Sequence, residues 1–144
     1  MKQILISAML AMTLVGCATV NMGDAKQDAA LKTFTVAPDK SAVYIYRNEG
    51  FGAAVKMDVL VDGKMIGQTA AQTYLYKELS PGKHTITSKA ENDSTLEIDA
   101  KIGTLQYIWQ EVKMGILFAR NQLTVVSEDV GKKGVLESKL AETK

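Results

Sequence analysis

The sequence predicts a mainly β chain: an antiparallel β-sandwich with a short N-terminal helical turn and a C-terminal helix. Two observations carry this. Roughly seven or eight short segments alternate in polarity, and turn-forming residues separate them about every eight to twelve positions. That spacing leaves no room for helical crossovers, which excludes a parallel α/β sheet.

The elements follow in order. Asp24 is placed to cap one or two helical turns through Ala25, Ala29 and Leu31. Thr33 to Val36 reads as a short extended piece. Ala42 to Arg47 alternates Val43 and Ile45 with Tyr44 and Tyr46, the period of two expected of a strand. After an Asn48–Gly52 loop, Ala54 to Val61 sets Val55, Met57, Val59 and Val61 on one face. Asp62-Gly63 then predicts a type I′ hairpin, whose two central residues both need positive φ. Lys64 to Gln68 returns. Thr73 to Leu79, Lys83 to Lys89, Thr95 to Ile98, Leu105 to Val112 and Leu123 to Val126 complete the strands. Turns at Ser80-Pro81-Gly82, Glu91-Asn92-Asp93 and Gly103 separate several of them. Ser127 is a candidate N-cap for the final helix, with Glu128 and Asp129 in its first turn and Val130, Leu136 and Leu140 as its apolar stripe. Gly131 and Gly134 each weaken that helix by about 1 kcal/mol relative to alanine. Met114 to Asn121 fits either a helix or a strand.

The first residues carry an address. Lys2 and the amino terminus precede an apolar run from Ile4 to Val15, shorter than the ~20 residues that a membrane-spanning helix needs. This is the layout of a removable export signal. It ends in Leu14-Val15-Gly16-Cys17, which resembles the lipobox of bacterial lipoproteins. The resemblance implies cleavage between Gly16 and Cys17, a diacylglycerol on the Cys17 sulfur, and acylation of the new amino group. Cys17 is the only cysteine, so disulfides are excluded. The sorting positions Ala18 and Thr19 hold no aspartate, which by resemblance to the rule of enteric bacteria implies the outer membrane, facing the periplasm, in preference to the inner. The organisation is then residues 1–16 as signal peptide, 17–37 as lipidated cysteine and tether, and 38–144 as the sandwich domain with its helix.

The chain of 144 residues holds 17 basic and 16 acidic side chains, and loss of Lys2 with the leader makes the two signs equal. No basic field remains for nucleic acid or for lipid headgroups, so membrane attachment rests on the acyl chains.

The segment from Val59 to Thr69, with Asp62-Gly63 inside it, followed by Leu79-Ser80-Pro81-Gly82-Lys83-His84-Thr85-Ile86, resembles the PEGA-type β-sandwich module. Ala70 departs from that pattern, where proline commonly follows the threonine. With Ala42 to Arg47 and the lipobox, residues 38 to 140 resemble a family of small bacterial lipoproteins defined only as a domain of unknown function. That resemblance implies a sandwich and a periplasmic location, and supplies no activity.

His84 is the only histidine. A metal site needs several His or Cys ligands, and none assembles here. No Gly-x-Ser-x-Gly elbow and no phosphate-binding loop is present. Asp58, Asp62, Asp93 and Asp99 lack calcium-loop spacing. No metal, cofactor or catalytic set is therefore expected, and His84 reads as a strand histidine bonded at the Pro81-Gly82 corner. The pairs Tyr44/Tyr46, Tyr74/Tyr76 and Tyr107/Trp109 each share a sheet face by their spacing. They form either sandwich core or a solvent-facing platform for a glycan or protein. The expectation is a lipid-anchored envelope protein with a non-catalytic binding or structural role, whose partner is an envelope protein or cell-wall glycan. The alternatives are a small periplasmic enzyme using His84 and a glycan-binding module using the aromatic face.

Overall fold

A computed structural model describes residues 19–50 and 54–144. Gly16, Cys17 and Ala18, with Phe51 and Gly52 of the first loop, lie outside the described residues. Helix α1 (Ala25–Leu31) precedes eight strands: β1 (Ser41–Arg47), β2 (Met57–Val61), β3 (Lys64–Thr69), β4 (Thr73–Leu79), β5 (Gly82–Lys89), β6 (Asp93–Ala100), β7 (Leu105–Met114) and β8 (Ala119–Val126). Helix α2 (Glu128–Leu136) and a two-residue strand β9 (Lys139–Leu140) follow. The strands form two sheets, ordered β8-β7-β1-β4-β9 and β3-β2-β5-β6. This is the expected β-sandwich with a helix near each end.

The four-stranded sheet is antiparallel throughout, whereas the five-stranded sheet is mixed. In it β1 pairs with β7 in parallel, and β4 pairs with β9 in parallel. Local hairpin signals cannot reveal such pairings, because they join segments far apart in the chain.

Alternation decides what each sheet face buries. Val43, Ile45, Leu75 and Ile108 of the five-stranded sheet meet Val59, Val61, Ile86 and Ile98 of the other in the sandwich interior. Every residue of β1 is buried, since its opposite face is covered too. There Tyr44 and Tyr46 lie in a second cluster with Tyr74, Tyr107, Val135 and Leu140, packed under Leu31 and Phe34. Two helices and the Phe34 segment thus form a third layer.

Several local expectations are met. Asp24 caps α1, its carboxylate accepting from the Gln27 amide at 3.3 Å. Asp62 and Gly63 take φ of 51° and 77°, the positive values that a type I′ turn demands. Others need correction. Thr33–Val36 is no strand, and Phe34 sits at a φ of 55° so that its ring reaches the tyrosines. Met114 to Asn121 forms the end of β7, a turn and the start of β8. Residues 19–37, read as a tether, fold onto the sandwich: Val20 packs against the main core, Met22 bridges Ala141, and α1 docks on the aromatic layer.

The stripe read for α2 is also revised. Val130 and Leu136 are exposed, Leu140 belongs to β9, and the buried face is Gly131, Gly134 and Val135. A Cβ on Gly131 would collide with Tyr107, and one on Gly134 with the Tyr46 ring. These glycines let the helix backbone lie directly on tyrosine rings, which is why the helix tolerates their weak propensity. Ser127 occupies the N-cap position without a side-chain capping bond.

Candidate functional site

The one histidine stands where two turns meet. The Asp62-Gly63 hairpin lies beside the start of β5, because β2 and β5 are antiparallel neighbours with Val61 opposite Ile86. The Asp62 amide donates to the Thr85 carbonyl at 2.8 Å, and the Thr85 amide donates to Asp62 Oδ1 at 2.9 Å. The second carboxylate oxygen then lies 2.6 Å from His84 Nδ1. On the far side of the ring, Nε2 is 2.6 Å from the Ser80 carbonyl oxygen and 3.5 Å from the Ser80 hydroxyl.

Asp62, His84 and Ser80 are thus aligned in the order of a carboxylate, an imidazole and a hydroxyl. The acceptors decide its chemistry. A carboxylate and a carbonyl are both acceptors, so both contacts are satisfied together only when each ring nitrogen carries a proton. The hydrogen bond to Asp62, and then that to Ser80, raise the His84 pKa above its ordinary 6.5. The Thr85 amide, and then His84, lower the Asp62 pKa below its ordinary 3.8. In that doubly protonated form, Nε2 has no lone pair with which to take a proton from the Ser80 hydroxyl. The ring ties the hairpin to the Ser80-Pro81 corner.

The aromatic pairs are brought together, as their spacing implied. Register sets Tyr44 beside both Tyr76 and Tyr107, and Tyr46 beside Tyr74 and Trp109. Tyr44 and Tyr107 stack with centroids 5.3 Å apart and planes 11° from parallel. Such pairs add about 0.5–1.5 kcal/mol each beyond area burial. They do not form an open platform. Tyr44, Tyr46, Tyr74 and Tyr107 are buried, while Tyr76 and Trp109 are half-buried at the margin.

Polar tips hold the cover in place. The Tyr44 hydroxyl donates to the Leu31 carbonyl at 2.7 Å, and the Tyr74 hydroxyl donates to Asp28 Oδ1 at 2.6 Å. Lys32 Nζ reaches Asp28 at 3.2 Å and the Ser138 carbonyl at 2.7 Å, joining α1 to the end of α2. Burial raises the pKa of Tyr44 and Tyr74 well beyond the ordinary phenol range, and pushes that of Tyr107 up to about 12. Phe34 was missed by sequence reasoning. Its signal was its isolation, as the lone aromatic between helix and first strand.

Two further features escaped the sequence. Arg47 is fully buried, donating to the Val55 carbonyl at 2.8 Å and the Thr69 carbonyl at 3.2 Å, with its Nε 3.6 Å from Glu49. Gln110, also fully buried, accepts from the Thr69 hydroxyl at 2.6 Å and donates to Ser88 Oγ at 2.5 Å. Thr19, the predicted sorting residue, is exposed beside a cleft of about 300 Å³ that it lines with Val20, Gln72 and Lys139. Among the described residues, no group of three His, Cys, Asp or Glu side chains is placed to hold a metal ion.

Residues 37–122 match the family model described as "Protein of unknown function (DUF2846)". The chain belongs to that family. The match spans β1 through the first residues of β8, so it includes both the His84 corner and the six rings of the aromatic layer. An uncharacterised protein of Haemophilus influenzae strain Rd is 35% identical over 135 residues, which cover 92% of this chain and 80% of that protein. No solved structure matches. Membership in a family known only as of unknown function was the expectation from the sequence, and the comparison bears it out.

Proposed function

We propose that this protein is a lipid-anchored lipoprotein of the bacterial cell envelope, held in the outer membrane, facing the periplasm, and acting by binding or by envelope structure without catalysis. The observation that carries the reading is Leu14-Val15-Gly16-Cys17 after a short apolar run. A thiolate is the nucleophile that lipid transfer requires, and Cys17 is the one cysteine able to supply it. Two or three acyl chains anchor a protein stably where one does not. With Val20 packed against the sandwich, lipids attached three residues earlier would hold the folded body close to the bilayer. Ala18 and Thr19, neither an aspartate, favour the outer membrane. The meeting of Asp62-Gly63 with the Ser80–His84 corner supports a PEGA-like core.

The test is metabolic labelling with radioactive palmitate, followed by membrane fractionation. The wild type takes up label and fractionates with outer membranes. Cys17→Ser takes up none, stays unprocessed and leaves that fraction. Equal labelling of the two proteins overturns the reading.

A second reading, a small periplasmic enzyme using His84, is raised by the Asp62–His84–Ser80 alignment. The commitment of both ring nitrogens supports the non-catalytic role instead. His84→Ala that loses biological function while remaining folded and anchored would favour the enzyme. A glycan-binding module using the aromatic face would require α1 to leave Tyr44 and Tyr74.

A further inference from the structure

The β7–β8 hairpin ends in a tip unlike the rest of the surface. Met114 is 79% exposed, Ile116 94%, Leu117 81% and Phe118 71%. Single exposed apolar residues are ordinary, but a contiguous apolar projection marks an interaction site. Its base is buttressed: the Glu91 amide donates to the Ala119 carbonyl at 3.1 Å, Asn92 Nδ2 donates to the Asn121 carbonyl at 2.9 Å, and the Phe118 amide donates to Glu91 at 3.3 Å. The hairpin is therefore held upright while its apolar end faces water.

Sheet register says where that end points. Arg47 at the end of β1 lies opposite Thr73, and Thr73 lies beside Lys139. On the other flank Tyr46 lies beside Trp109, and β7 continues from there for five residues to Met114. At about 3.3 Å per residue, Met114 lies roughly 16 Å past the level of Tyr46. Thr19 lines its cleft with Gln72, Thr73 and Lys139, at this same end of the sandwich. Thr19, two residues from Cys17 in sequence, thus sits at the pole at which the apolar tip projects.

We propose that the tip, Met114 to Phe118, enters the same phospholipid surface that the Cys17 acyl chains occupy, giving the sandwich a second point of attachment and a fixed orientation. The proposal rests on the lipid-anchor reading above. Lys113 and Arg120 face each other across the hairpin just behind the tip, both exposed, at the level where phosphate headgroups would lie. Long basic side chains keep their charges at such an interface while their stems run along apolar surface. Glu111 lies 3.6 Å from Lys113 on the body side, whereas the Glu91 carboxylate reaches into the tip, against Gly115 and accepting from the Phe118 amide.

The full-length lipidated protein carrying Leu117→Trp is reconstituted into phosphatidylethanolamine and phosphatidylglycerol vesicles with brominated acyl chains. The added tryptophan is expected to emit at shorter wavelength than in detergent-free buffer and to be quenched by the bromines, while Trp109 in the parent is not. In parallel, residues 17–144 carrying Cys17→Ser, free of both leader and acyl chains, are sedimented with unbrominated vesicles. This chain is expected to bind weakly, and Ile116→Ser/Leu117→Ser/Phe118→Ser on that background to lower binding about tenfold or more. Unquenched, water-like emission from the added indole in a palmitate-labelled protein overturns tip insertion and leaves the anchor standing. Missing palmitate label overturns the anchor, and tip-dependent sedimentation of Cys17→Ser then still supports insertion. Dimerisation, or capture of a soluble protein, that the triple substitution abolishes without lipid also overturns the proposal.

Discussion

His84 Nδ1 and Asp62 Oδ2 lie 2.6 Å apart and join two turns that are 22 residues apart in sequence. The pair makes stability depend on pH in a defined sense. With its folded pKa above 6.5, His84 contributes fully below 6.5, and its contribution is lost as pH rises through the raised value. With its folded pKa below 3.8, Asp62 contributes fully above 3.8, and its share is lost as pH falls through the lowered value. The clamp is thus complete between about pH 4 and 6.5. Asp62 is half exposed, so solvent screening limits the pair to about 1 kcal/mol or less. A single imidazole resonance, followed by NMR, should titrate above 6.5 and fall toward that value in Asp62→Asn.

Alanine at Gly131 or Gly134 should destabilise the protein even though it favours helix. The propensity gain is about 1 kcal/mol. The added methyl would meet Tyr107 or Tyr46, and overpacking of this kind typically costs ~1–3 kcal/mol when the neighbours can shift. Backbone lying on a ring cannot shift cheaply, so the net effect is a loss. Thermal unfolding should show a lower Tm for both variants, and an unchanged or higher Tm would contradict the packing described.

Removal of the Gln110 amide should cost more than its volume suggests. Gln110→Ala leaves the Thr69 and Ser88 hydroxyls buried without that partner, each at about 1–3 kcal/mol. Urea denaturation should show a lowered midpoint with an unchanged slope.

Tyr44→Phe and Tyr74→Phe keep the rings and remove the bonds that hold α1. Each should cost about 1 kcal/mol, with Tyr74 the larger because its acceptor is a carboxylate. Hydrogen exchange should quicken in α1 and leave β1 unchanged. Equal acceleration in both would mean that the helix does not open by itself.

Legibility from sequence followed the range of each interaction. Asp62-Gly63, the Asp24 cap and the alternation in β1 are local signals, and each placed its element within a residue or two. The parallel pairing of β1 with β7 depends on contacts some 60 residues apart, as between Ala42 and Leu105, and has no local signature. The tyrosine spacing showed that the rings share a face but not that a third layer covers it. Only the glycines of α2 carried that information, in a form that propensity alone read as weakness. The His84 corner was half legible: the Ser80–Gly82 corner was expected, and the Asp62 partner came from the β2–β5 pairing. Leu14-Val15-Gly16-Cys17, which resembles a lipobox, is read from sequence alone, and these residues lie outside the described ones.

The two-residue strand β9 has a consequence for biogenesis. Lys139 and Leu140 flank β4 at the border of the larger sheet, and the Gly23 amide in turn bonds the Leu140 carbonyl at 2.9 Å. That border therefore stays uncovered until Lys139 and Leu140 have been made and docked. A chain cut short before them would leave the Gln72 and Tyr74 carbonyls open to any neighbouring strand, so the last residues of the fold guard its larger sheet against edge-to-edge pairing.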